Sequence, residues 1–230
     1  MAFAVQYLRR MISLSECSEL DDEEVREIEA KLESEPALDD WKEKRIKELI
    51  NDIRDVNFSK IAENIGALYD SDSETIKIKF LGTELCVGSS GFQGDVSLWA
   101  RLLTLVHIKH SGKASLGGKW TNFRDLRGGS IKAKAFHNAC ELEIAKLLET
   151  DSNDLMDSLR SISAEQADGF SADHSFLLKA LPKIPLLILL WEPDDEFGAD
   201  CKVLFDPSAV DYLDIESLCY LGEELVRVLK

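Results

Sequence analysis

Two groups of residues in this 230-residue chain have types and spacings that could do chemistry. The first is Trp120, Phe123 and Arg124, set in a glycine-rich stretch, taken together with Asp194, Asp195 and Glu196. The aromatic faces can stack on a planar ligand, and an arginine guanidinium forks onto a carboxylate. Such a pair of loops predicts a shallow pocket for a small molecule. The competing reading is structural: Arg124 pairs with Asp195 or Glu196 at the surface while Trp120 and Phe123 plug the core. The second group is His107, His110, His137 and Cys140. His107-x-x-His110 and His137-x-x-Cys140 each place two metal-capable side chains one turn apart on a helix. If those helices met, the four ligands of a tetrahedral zinc site, or the parts of a hydrolase, would be assembled. Against this, the spacing is not that of a zinc finger. His110 also suits a helix end, and Cys140 falls among apolar positions as a core thiol does.

Other chemistry is carried more weakly. Cys86, Cys140 or Cys201 could act as a nucleophile with a histidine, but none sits in a nucleophile signature. Gly88, Gly91 and Gly94 follow a strand, yet the spacing Gly-x-x-Gly-x-x-Gly is not that of a dinucleotide fingerprint. The acidic run Glu19–Glu29 lacks the pattern of a calcium loop and reads as a solvated helix face. No cofactor is expected, and these motifs do not decide whether the chain is an enzyme.

The charge balance limits the partners. With 27 Lys and Arg against 43 Asp and Glu, the net charge is -16. A field of that sign repels nucleic acid and anionic membrane surfaces, whereas a small molecule or a basic protein is compatible with it. The five cysteines are widely spaced and form no Cys-x-x-Cys pair. They read as reduced thiols of a cytoplasmic protein, and they do not supply an iron–sulfur cluster from this chain alone. Arg9 and Arg10 interrupt the first apolar stretch, so no signal peptide is expected. The apolar run Ile184–Trp191 is too short to span a bilayer.

The elements that must position these residues follow from periodicity. Residues 1–54 read as a helical extension, with one face on Phe3–Ile12, a helix through Val25, Ile28 and Leu32, and a stripe on Trp41, Ile46, Leu49, Ile50 and Ile53. Packing in cis or a homodimer through these helices would bury them. Residues 55–230 read as a single α+β domain. Phe58–Ile65 is a short helix. Thr75–Phe80 alternates as a strand, and Leu81-Gly82-Thr83 turns it into a second strand ending at Gly88. Val96–His110, Ala133–Glu149, Asn153–Ile162 and Ile215–Leu229 are helices, and Ser111–Ser130 and Ala164–Ala172 are loops. His174–Leu181, Leu186–Trp191 and Ala199–Phe205 are strands, with Pro182 and Pro185 bracketing one turn and Glu192–Gly198 making the next. Antiparallel hairpins with segregated helices predict an α+β fold, mainly an antiparallel sheet with helices packed against it.

Leu181-Pro182-Lys183-Ile184-Pro185 with the apolar run to Trp191, then Asp194–Phe197, Leu204-Phe205-Asp206 and Tyr212-Leu213, resembles the C-terminal signature of an uncharacterised domain family of anaerobic bacteria and archaea. Lys119–Leu126, Gly128-Gly129 and Phe136 resemble its middle motif, and Phe80-Leu81-Gly82 its early hairpin. The resemblance covers about residues 57–230. Some relatives join the domain to a cysteine-rich iron–sulfur segment, which implies anaerobic redox or corrinoid-linked metabolism. This chain has no such cysteine cluster. The family brings no activity and no catalytic residues to carry over.

Overall fold

The computed structural model describes residues 20–21, 24–25, 38–111 and 115–230. The Phe3–Ile12 face, Cys17, Ile28 and Leu32 lie outside the described residues. The chain divides into two compact units, residues 1–45 and 46–230.

In the first unit, Asp21 and Glu24 cap each other. Asp21 Oδ1 accepts the Glu24 amide at 2.8 Å, and Glu24 Oε2 accepts the Asp21 amide at 3.0 Å. This is the reciprocal arrangement that satisfies two amides at a helix start. Helix α1, Leu38–Ile53, begins in this unit and ends in the next. Trp41 is half exposed.

In the second unit, Ile46, Leu49 and Ile53 of α1 are fully buried in the chain's own core. The apolar stripe is therefore spent in cis from Ile46 onward. Helix α2, Phe58–Ile65, is opened by Asn57, whose side chain accepts the Lys60 amide, and closed by Gly66 at φ 72°. Four antiparallel strands follow: β1 Leu68–Asp70, β2 Thr75–Phe80, β3 Thr83–Gly88 and β4 Gly91–Phe92. Ile76 and Ile78 point inward while Lys77 and Lys79 face out, as the alternation predicts. Leu81 and Gly82 both take positive φ, the backbone of the two-residue hairpin turns that match strand twist.

Helix α3, Leu98–His110, is capped by Ser97. The second sheet has the order β5-β9-β8-β7-β6 and is antiparallel throughout. Its strands are β5 Thr121–Asn122, β6 Glu165–Gln166, β7 His174–Leu181, β8 Ile184–Trp191 and β9 Asp200–Phe205. The apolar run thus occupies the centre of the sheet, where a strand is covered on both faces. Pro185 lies inside β8 rather than in the turn, opposite Lys179 and next to a register shift in β7. That shift falls at Ala180, whose carbonyl accepts the Leu81 amide at 2.9 Å and so ties the two sheets together. A bulged residue lacks its ladder partner and can re-aim its backbone in this way.

Helix α4, Ala133–Phe136, runs through a π-helical segment, His137–Glu141, into α5, Leu142–Thr150. Helix α6, Ser152–Ser161, is capped by Asp151, and α7, Ile215–Leu229, by Asp214. The fold is α+β with antiparallel sheets, as the hairpin pattern predicts. Among the described residues, no helix is long and apolar enough to cross a membrane.

Candidate functional site

The glycine-rich stretch and the acidic turn do not meet. Thr121 pairs with Phe205 at one end of β9, and Trp191 pairs with Asp200 at the other. Five residues of strand separate these ends by about 17 Å. The acidic turn closes on itself. Asp194 Oδ1 accepts the amides of Glu196 and Phe197 at 2.8 and 2.7 Å, and these bonds hold its carboxyl below the ordinary range. Asp195 and Glu196 are exposed. Glu192, at the start of the turn, accepts hydrogen bonds from His174 Nε2 and Ser152 Oγ at 3.0 and 2.8 Å.

The aromatic half divides. Phe123 is buried and stacks on Phe136 with ring centroids 4.3 Å apart and an angle of 7° between planes. Phe205 meets both rings edge-on. Trp120 is half-buried just before β5, and Arg124 is exposed on the 3-10 turn that follows it. Arg124 faces a different set of side chains from those the acidic turn offers. A cleft of about 530 Å³ is lined by Phe123, Arg124, Asp125, Lys134, His137, Glu141 and Lys202.

The π-helical segment explains how His137 and Glu141 come to share this cleft. The Leu142 amide reaches back five residues to the His137 carbonyl. The wider turn aligns positions four apart better than positions three apart, so Cys140 swings away from His137. His137 Nδ1 donates to Glu141 Oε2 at 2.8 Å, and Lys202 Nζ donates to the same oxygen at 3.2 Å. Glu141 is itself buried, and its Oε1 accepts the Val203 amide at 3.2 Å. Arg124 and Lys134 have no ion-pair partner among the described residues.

The histidine and cysteine quartet is not assembled. His107 is buried, and its Nε2 donates to the Ile65 carbonyl at 3.2 Å. His110 Nδ1 donates to the Tyr212 carbonyl at 3.0 Å. Cys140 is fully buried beside Gly222 of α7, and burial pushes its thiol well above the usual range. Burial does the same to Cys201. Neither thiol is therefore poised as a thiolate. Among the described residues, no group of three or more His, Cys, Asp or Glu side chains is placed to hold a metal ion.

Asp125, Lys134, Glu141 and Lys202 are the charged cleft residues that sequence reasoning passed over. A signal existed for Glu141: it is an acid four residues after His137, within a stretch of apolar helix positions. Lys202 sits on a half-buried strand position that periodicity alone reads as an ordinary polar face.

The geometry defines an antiparallel α+β domain whose cation-bearing cleft opens beside a π-helical segment. The chain belongs to the family described as a domain of unknown function, DUF3786, which it matches over residues 57–228. No curated protein and no solved structure matches it.

Proposed function

We propose that this chain is a cytoplasmic, non-enzymatic ligand-binding or accessory domain, and that its ligand is a compact small molecule bearing a carboxylate or phosphate. The single observation that carries this reading is the pair Arg124 and Lys134: two cations that line one cleft, beside Asp125 and the already paired Glu141, and make no ion pair among the described residues. Around them, Phe123 supplies an aromatic wall and His137 a ring fixed by Glu141. Glu141 is buried and hydrogen-bonded on both oxygens, so it holds His137 and Lys202 in place more than it repels an anion. An arginine fork with a second cation beside it suits a planar or tetrahedral oxyanion. In this reading residues 55–230 are the binding domain, with Ile46, Leu49 and Ile53 packed into the same core. The resemblance to domains of anaerobic bacteria and archaea supports a place in anaerobic metabolism.

Isothermal titration of the full chain with citrate and with inorganic phosphate tests the proposal. Saturable binding is expected, weakened about tenfold or more by Arg124→Ala, as the loss of a charge-assisted hydrogen bond implies. Binding that Arg124→Ala and Lys134→Ala leave unchanged would remove this cleft as the site.

A further inference from the structure

The outer faces of the two sheets carry a second concentration of positive charge. Lys77 and Lys79 alternate onto the exposed face of β2, and Lys179 lies on the exposed face of β7. Lys183 lies in the turn between β7 and β8. The Leu81–Ala180 hydrogen bond sets these faces side by side. The result is a cleft of about 500 Å³ that all four lysines line. Two acids, Glu84 and Glu165, share that lining, so four positive charges face two negative ones in a chain whose net charge is -16. Among the described residues, Lys77 makes only a long ion pair with Asp70, at 3.9 Å. Lys79, Lys179 and Lys183 have no ion-pair partner among the described residues. Gathering lysines that could spread over an acidic surface costs free energy unless something negative visits them.

Apart from Ser163 and two glycines, the rest of the lining is apolar. Leu68 stands 71% exposed on β1, across from Lys77, and Leu177 lies on the same face of β7 as Lys179. Pro182 and Ile162 complete the wall. A volume of this size takes a drug-sized ligand. The combination of a lysine cluster with exposed Leu68 and half-buried Leu177 fits a molecule with an apolar body and an anionic end.

We infer that the cleft between the sheets binds a free amphiphilic organic anion, an apolar chain or ring carrying a phosphate or carboxylate, with Lys77, Lys79, Lys179 and Lys183 on the anionic group and Leu68 and Leu177 on the apolar part. This site is separate from the Arg124 cleft and stands or falls independently of it. A lipid headgroup shares this chemistry, but the acidic field of the whole chain opposes an anionic bilayer. The free molecule is therefore the source we assign.

The test is a titration of isotope-labelled full-length protein with octyl phosphate and with inorganic phosphate, followed by amide chemical shifts. Shifts are expected at Leu68, Lys77, Lys79, Leu177 and Lys179, with octyl phosphate bound about tenfold or more tighter because its chain buries apolar surface. Lys79→Ala combined with Lys179→Ala, both exposed positions, is expected to weaken octyl phosphate binding about tenfold or more. Octyl phosphate also offers a phosphate to the Arg124 cleft, so the two sites are read by their own amides, and Lys134→Ala and Arg124→Ala together are expected to abolish shifts around Phe123 and His137 while those at Leu68, Lys77 and Lys179 persist. Shifts confined to the Arg124 cleft, equal affinity for the two probes, or indifference to the lysine variants would overturn the inference. Co-sedimentation with phosphatidic acid vesicles is expected to be negative, and a positive result would overturn the free molecule as the source.

Discussion

Glu141 Oε1 accepts the Val203 amide at 3.2 Å on the edge of β9 that β5 leaves uncovered. Strand β5 pairs only with Leu204 and Phe205, so a side chain from the π-helical segment completes the edge where the backbone ladder stops. The same carboxylate takes His137 and Lys202 on its other oxygen. Glu141→Ala would strand a buried amide and release the His137 and Lys202 side chains, and is expected to cost about 2–4 kcal/mol of unfolding free energy. Glu141→Gln keeps a neutral acceptor for Val203 and is expected to cost about half as much. Urea unfolding of the two variants against the parent chain checks both the size and the order.

Gly222 lets α7 approach the π-helical segment. A Cβ there would lie 2.7 Å from Phe136 Cε2 and 3.0 Å from Cys140 Cβ. Gly222→Ala is expected to destabilise the fold by about 1–3 kcal/mol through overpacking. Displacing Phe136 also disturbs the Phe123 ring stacked on it, so the variant is expected to weaken anion binding at Arg124 beyond its loss of stability. Thermal unfolding and titration with phosphate, run below the midpoint, separate the two effects.

The main elements were legible because each has a long, clean period. Ile215–Leu229 keeps helix periodicity along its length, and Ile76, Ile78 and Phe80 alternate with two exposed lysines as a strand does. The central position of Ile184–Trp191 follows from its unbroken apolar run. Strand β5 was not legible, because two residues, Thr121 and Asn122, carry no period and are held by β9 alone. The site was less legible still. Arg124, Phe123 and His137 stand out by residue type and do share a cleft. Their joining with Asp194–Glu196 failed because strand register, which sequence does not print, puts those acids at the far end of β9. His137 and Cys140 look like one face under α-helical spacing, and the π-helical turn parts them.

The hairpin turn at Leu81-Gly82 is packed against the end of α6. Gly82 has φ 81°, and a Cβ on it would lie 2.6 Å from the Ile162 carbonyl oxygen. Gly82→Ala therefore meets both a strained backbone and fixed neighbouring backbone, and is expected to cost about 2 kcal/mol or more. Because the same turn lines the cleft between the sheets, the variant is also expected to weaken octyl phosphate binding there. Urea unfolding and the amide-shift titration measure the two consequences.

His107 makes stability depend on pH in a window set by its own environment. Burial pushes its pKa down to about 4 from the ordinary 6.5, the Ile65 carbonyl opposes that shift, and the nearby His110 and Lys183 add to it. Its Nδ1 has no hydrogen-bond partner among the described residues, so the neutral ring is the form the core accepts. Between those two values the unfolded chain takes up a proton that the folded chain refuses, so acid favours unfolding. The stabilisation is complete above about pH 6.5, declines as the pH falls, and stops changing below about pH 4, with a total of about 3 kcal/mol. His107→Phe keeps an aromatic ring against Tyr212, whose centroid lies 5.2 Å away, but carries no titrating proton. It is expected to lose about 1 kcal/mol at neutral pH with the Ile65 hydrogen bond. It should then regain ground on the parent chain as the pH drops through the window. Carboxylates such as Asp206 titrate in both proteins and cancel in the difference between them. Unfolding free energies of the pair at about pH 7.5 and about pH 4.5 give that difference directly; a difference that does not change with pH would show that the folded core accepts a charged His107.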